Sequence, residues 1–367
     1  MIRMRPGRVV EVAEQRPGVS EVLVDVEGRV ERAVNYDLVT GPVGVGDRVV
    51  LNTAAVALGL GTGGVHFVMV NLERLEWDGP EAGHIMKLRY TPFQVQVLAV
   101  EEEASPHADR LRDCAGLDGL PVVAGSLHSM LGPFAAAVGE LAPELRVVYL
   151  MTDGGALPLA FSRLVGQLKE AGLVHATVTC GHAFGGDFEA INVYSGLLAA
   201  REAGGADVIL AAMGPGIVGT AQAFGFTGIE QGEIINAAGV LGGVPIAIPR
   251  ISFADPRERH RGVSHHTLTA LGRVALARAL VALPRLDDAE AQAYLEAQLA
   301  AAGVSARHQV VVADGGPALT GLKRHGLNVT TMGRDRHTTP EFFLACGAAA
   351  RLAVDVRRSR LKGPHQS

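Results

Sequence analysis

The densest set of chemistry-bearing residues is Arg257-Glu258-Arg259-His260-Arg261, followed closely by Ser264-His265-His266. Guanidinium forks hold carboxylate or phosphate at two points. Histidine can contact an anion, carry a proton or ligate a metal. Ser264 is a good N-cap, so His265 and His266 are expected in a first helical turn, where the dipole disfavours added positive charge. A bound anion would resolve that conflict. The plainer alternative is a solvated loop whose arginines pair with Asp255 and Glu258.

Other candidates follow apolar runs that read as strands. Thr152-Asp153-Gly154-Gly155 follows Met151, and Cys180-Gly181-His182 through Asp187 follows Thr179. Gly214-Pro215-Gly216 through Gly219-Thr220 follows Met213, and Asp314-Gly315-Gly316 follows Ala313. Each alone reads as a tight turn, since Gly and Asp suit turns and caps. Together they predict one cleft at the carboxyl edge of a sheet. Asp153, His182 and Asp187 are its acid–base candidates. Gly214, Gly216, Gly219, Arg257, Arg259, His260, His265 and His266 are its ligand-binding candidates, for a small anionic, phosphate-bearing molecule.

Gly214, Gly216 and Gly219 also fit G-x-G-x-x-G after a strand. Pro215 stiffens that turn, and no strand ending in an acid follows at the ribose-binding distance. Glu230 and Glu233 fall near that distance in a helical or loop stretch. A simple phosphate or carboxylate cradle is therefore preferred to a dinucleotide site, and no cofactor is assigned. A metal-dependent hydrolase using His182, Asp187, His260, His265, His266, Asp153 and Asp314 is a rival. Adjacent helical residues point about 100° apart, so only one of the histidine pair is expected to face a given ion. No tight ligand spacing occurs, and no metal ligand is assigned. Cys180, Ser126 and Lys87 are weak nucleophile candidates.

The 367 residues carry a net charge of -5, with 48% hydrophobic and 5% aromatic residues, which argues against disorder and against a nucleic-acid binder. Three scattered cysteines and a start without an apolar leader suit a cytoplasmic protein. Val208 to Ile229 is uncharged, but its glycines and Pro215 read as a strand and loop rather than a membrane span.

Period-two alternation in residues 8–14, 20–27 and 29–36, with further strands near 43–52 and 65–70, predicts a small antiparallel β-barrel or sandwich over 1–75, broadly like an OB or lipoyl-type barrel. A connector fills 76–90, and the glycine cluster Leu58–Phe67 is a barrel corner or a flap. From 91 to 356, continuous apolar runs alternate with helical patterns, so a doubly wound α/β domain with a mostly parallel sheet is expected. Its strands include 95–100, 120–124, 146–151, 174–179, 206–213, 244–251, 308–313 and 327–332. Its helices include 158–171, 190–203, 265–282 and 289–301. Residues 357–367 read as a polar tail. Val147–Pro158 faintly echoes Val310–Leu319, each a strand followed by Asp-Gly-Gly.

The stretches Gly83–Pro92, Cys180–Ala200 and Arg250–Gly272 resemble a bacterial protein family of unknown function over nearly the full length. That resemblance implies a cytosolic bacterial protein and transfers no catalytic residue. The functional expectation is an enzyme or binding protein for a small anion. The alternative is a non-catalytic sensor or assembly protein, with a homo-oligomer left open.

Overall fold

The structure is a computed structural model that describes residues 2–59, 64–79 and 82–361. Residues 60–63 of the Leu58–Phe67 glycine cluster, and 362–367 of the expected tail, lie outside these. The chain forms two compact units, Met1–Leu98 and Ala99 onward.

In the first unit β1 (Met4–Arg16), β2 (Val19–Val26), β3 (Arg29–Tyr36), β4 (Arg48–Asn52) and β5 (His66–Asn71) close into a barrel of order β1-β2-β3-β5-β4. Alternation places Val22, Val24, Ala33, Val49 and Leu51 inside, as the period-two pattern requires. Not every pair is antiparallel: β3 and β5 run parallel, with Ala33 opposite His66. That pairing and strand order are those of an OB-type Greek-key barrel. A hairpin of β6 (Ile85–Lys87) and β7 (Val95–Val97) completes the unit.

The second unit is built on eight parallel strands. They are β8 (Pro121–Ala124), β9 (Val147–Thr152), β10 (Ala176–Thr179), β11 (Phe188–Glu189), β12 (Val208–Met213), β13 (Val244–Ala247), β16 (Leu280–Pro284) and β17 (Gln309–Ala313). A small antiparallel pair, β14 (Ile251–Ser252) and β15 (Gly262–Val263), sits between β13 and β16 in sequence. The sheet order is β11-β10-β9-β12-β8-β13-β16-β17. Strands β8, β9, β10 and β12 are buried at every position. Hence their sequences are continuous apolar runs rather than alternating ones.

Helices cover the sheet. Helix α1 (Leu131–Leu141), α7 (Gly316–Arg324) and α8 (Pro340–Leu361) pack together, while α3 (Val193–Glu202) packs on α4 (Glu230–Val240). Ser162 caps α2 (Arg163–Glu170), and an Asn192–Ser195 capping box starts α3. Helix α8 carries on through Arg357, paired with Asp207, to Leu361, beyond the point where composition suggests a tail.

Three local expectations change. Val95–Val97 pairs in the hairpin and not in the large sheet. Residues 327–332 are a loop. The expected helix over 265–282 ends early: α5 (His265–Thr269) passes into a π-turn at Ala270–Val274, and Leu280–Pro284 is a strand. Leu-Val-Ala-Leu is apolar at every position, so periodicity cannot separate a buried strand from a buried helix there. Helix α6 (Ala289–Ala301) follows, capped by Asp288.

The topology picks out one crevice. The chain leaves β9 toward β10 and leaves β12, its neighbour, in the opposite direction toward β13. Beyond the carboxyl ends of such a pair the two connections diverge and leave an opening.

Loop 152–156 crosses loop 214–216 there with Ala156 N–H donating to the Pro215 carbonyl at 2.7 Å. A Cβ at Gly214 would stand 2.3 Å from the Ala156 carbonyl oxygen, and one at Gly155 would stand 2.3 Å from the Gly214 oxygen. Gly214→Ala is therefore expected to destabilise the fold by about 1–3 kcal/mol, the usual range for overpacking, as measured by urea unfolding. Gly166→Ala, which lies inside α2 and meets nothing within 4 Å, is the control and should stabilise by about 0.5–1 kcal/mol through helix propensity.

Candidate functional site

A cleft of about 440 Å³ opens at the predicted crevice. Its walls are Leu127–Ser129 after β8, Pro215–Ile217 after β12, Arg163 and Gln167 of α2, and the loop Asn328–Thr330. Residues 327–332 therefore line the opening instead of adding a strand.

The floor carries a closed hydrogen-bond chain. The Tyr149 hydroxyl donates to the carbonyls of Ala212 and Met213, at 3.1 and 3.0 Å. Its oxygen is then free to accept from His128 Nδ1 at 3.1 Å, and His128 Nε2 accepts from Ser162 Oγ at 2.7 Å. Ser162 Oγ in turn accepts the Val165 N–H. This network assigns a neutral His128 with its proton on Nδ1. Burial lowers its pKa to about 4, against a weaker opposing contact from Met213. Ser126, weighed above as a nucleophile, is buried behind this wall.

The arginine- and histidine-rich segment lies on the same rim. The Asp255 side chain is fully buried and meets Arg257 at 2.9 Å, Arg250 at 3.4 Å and Arg334 at 3.6 Å. Arg257 binds it through both Nε and Nη2, and through its backbone N–H. Arg257 hydrogen bonding, opposed by burial, holds the carboxyl far below the ordinary range. Pairing of Arg257 with Asp255 was the plainer alternative from sequence. The structure adds two more guanidiniums, so three positive charges share one negative charge.

Next to this cluster, His260, His265 and His266 come together. One ring nitrogen from each lies within 4.8 Å of the others. His260 Nδ1 faces Ser264 Oγ at 2.8 Å, and Ser264 Oγ also accepts the His266 N–H. His266 stacks on Phe226, with ring centroids 4.0 Å apart and planes 6° from parallel. A Cβ at Gly219 would stand 2.9 Å from His266 Cε1. The paired imidazoles and the glycine loop thus meet. Burial first, then the arginines and neighbouring histidines, lower the pKa of His260 to about 4 and of His266 to about 3. His265 is lowered by burial and by Arg259, Arg250 and Arg257.

The glycine loop does not have dinucleotide geometry. Gly219 bridges Phe226, Thr220 N–H donates to the Gly225 carbonyl, and α4 begins only at Glu230. No helix N-terminus follows the third glycine, as that fingerprint requires. The dipole argument for His265 and His266 also weakens, because α5 has only five residues.

The acid–base candidates occupy a separate stretch of rim. Asp153 is exposed and accepts the His182 N–H at 3.0 Å. The pair thus ties the loops after β9 and β10 together. Asp187 accepts from Lys169 Nζ at 2.6 Å and from the Thr177 N–H and hydroxyl at 2.8 and 2.9 Å. Partial burial would raise its pKa, but these bonds win and lower it. Its oxygens serve as a loop anchor.

Sequence reasoning did not select Glu230. Its Oε1 accepts from Thr152 Oγ1 at 2.6 Å, against the backbone at Gly154. Burial raises its pKa to about 7, opposed by the Thr152 bond and assisted by Asp153 and Glu233. Its position in the first turn of α4, beyond a glycine loop, was the available signal. Arg334 had none, since it reaches Asp255 from far along the chain.

These shifts have opposite signs in stability. Glu230 binds its proton more tightly folded than unfolded, so its contribution is present below about pH 4.5 and lost as pH rises to about 7. Glu230→Gln keeps an acceptor for Thr152, and is expected to gain on the order of 2 kcal/mol relative to wild type between pH 4 and pH 8. His128 behaves conversely: stability present above pH 6.5 is lost as pH falls toward 4. His128→Gln should flatten that acid limb in urea titrations.

No helix among the described residues is long and apolar enough to cross a membrane. No curated protein and no solved structure matches the chain. Residues 32–350 match the family described as "Protein of unknown function (DUF3866)". With that match spanning most of its length, the chain belongs to this family.

Proposed function

We propose that this protein binds a small anionic metabolite, carrying phosphate or carboxylate, at the carboxyl edge of its parallel sheet. The observation that carries this reading is the charge imbalance at Asp255. Arg250, Arg257 and Arg334 share a single carboxylate, which leaves two positive charges without a counter-charge among the described residues. Exposed Arg259 adds a third beside His265 and His266. Such an excess beside a crevice attracts anions, and guanidinium forks fix their orientation.

Ala156 and His266 take the space beside Gly214 and Gly219, so of the three loop glycines only exposed Gly216, with nothing within 4 Å where a side chain would stand, leaves room for close backbone approach by that ligand. His260, His265 and His266 are neutral at pH 7 and add ring nitrogens rather than charge. Chemistry on the bound molecule would fall to Glu230 and to Asp153 with His182. A carboxyl titrating near neutrality can carry a proton in either direction.

Thermal-shift titration of chelator-treated protein with inorganic phosphate, nucleotides, sugar phosphates and dicarboxylates tests this. One class should raise the melting temperature, with stabilisation of about 2.7 kcal/mol at a hundredfold excess over Kd. Arg259→Ala should weaken that ligand about tenfold or more. No shift from any class, or a shift that Arg259→Ala leaves unchanged, would overturn the reading.

A further inference from the structure

We propose that His260, His265 and His266 form a binding site for one divalent first-row transition-metal ion, of the zinc, cobalt or iron kind. The proposal concerns the histidines alone and does not rest on the anion reading above.

Three observations converge. First, the spacing fits. One nitrogen per ring already lies within 4.8 Å of the other two. A tetrahedral ion at about 2.0–2.1 Å from each would bring the nitrogens to about 3.3 Å apart. Small side-chain rotations cover the difference.

Second, the nitrogens lack other work. His266 is only 6% exposed, yet neither of its ring nitrogens has a hydrogen-bond partner among the described residues. His265 Nε2 is likewise buried and without one. Burying an unsatisfied polar atom costs about 1–3 kcal/mol, and most buried polar side-chain atoms in proteins find partners. These atoms belong to two neighbouring rings of the cluster and point to a shared ligand. A cation would take one nitrogen from each ring, since each neutral imidazole offers a single lone pair.

Third, His260 is already oriented. Its Nδ1 faces Ser264 Oγ at 2.8 Å, which leaves Nε2 as the ligand atom. A fixed second nitrogen is the usual outer support of a metal-bound histidine. Phe226, stacked on His266, holds that ring in the same way.

The donor set selects the metal class. All-imidazole nitrogen sites suit zinc, copper, nickel, cobalt and iron, whereas magnesium and calcium require oxygen. Three protein ligands leave at least one position for water or an anionic oxygen ligand. The nearby arginines favour the anion there, because the neutral histidines do not offset the charge of the ion.

The full-length chain, stripped with a chelator and loaded with Co²⁺ in phosphate-free buffer, provides the test. The expected result is about one ion per chain, with the intense visible absorption of four- or five-coordinate Co²⁺. His265→Ala and His266→Ala should each abolish that band, and circular dichroism checks that they fold. Ser264→Ala, a positioning change, should weaken uptake about 10–100-fold. His325→Ala, at an exposed histidine outside the cluster, should bind as wild type does. Absence of uptake, a weak octahedral spectrum, or a band that survives His265→Ala would overturn the proposal. The anion titration above uses metal-free protein, so either idea can fail while the other stands.

Discussion

A charged carboxylate fully removed from water organises the rim of the larger unit. Isolated, the Asp255 side chain would be too costly to bury, and only paired and hydrogen-bonded surroundings can keep it ionised. Arg257 supplies the close two-point contact, while Arg250 and Arg334 add charge from either side. Arg334 arrives from the loop that also forms the cleft wall at 328–330, so this ion cluster ties the cleft to the histidine segment. Removing Asp255 would leave three guanidiniums facing one another. The positive field of the site and the placement of its loops therefore depend on one residue.

The sheet sets where that cluster can act. The chain departs from β9 and β12 in opposite directions, and the opening lies beyond their carboxyl ends. Residues from three loops and from helix α2 line it. His128, Tyr149 and Ser162 form a closed network under the opening, with no hydrogen-bonding capacity left over on the histidine ring. They are supports. The unsatisfied nitrogens belong instead to His265 and His266 on the neighbouring part of the rim. Within one edge of one sheet, satisfied polar groups mark the frame and unsatisfied ones mark the proposed binding surface.

The glycines at 214–219 show how a spacing can mark close backbone approach without carrying dinucleotide geometry. A cluster of glycines after a buried strand does signal close backbone approach. Here the approaching groups are another loop at Gly155 and Ala156, and the ring of His266. The dinucleotide pattern shares the spacing but needs a helix immediately after the last glycine, and the chain instead turns back to bridge Phe226. The angular argument considered His265 and His266 alone. In the structure one ring nitrogen of each, together with one of His260, lies within 4.8 Å of the others.

Local pattern alone determined the two architectures, because a half-buried strand must alternate and a doubly covered strand cannot. It also determined that Gly, Asp, Arg and His gather after the strands, and it pointed to Arg257–His266 as the segment of interest. What it could not decide was which distant groups meet. Asp255 with Arg334, Glu230 with Thr152 and Gly219 with His266 are contacts made by packing, and spacing along the chain carries no trace of them. The short apolar run at 280–284 was ambiguous for the same reason: burial on both faces erases the periodicity that distinguishes strand from helix, and only the neighbours on either side, β13 and β17, settle which it becomes.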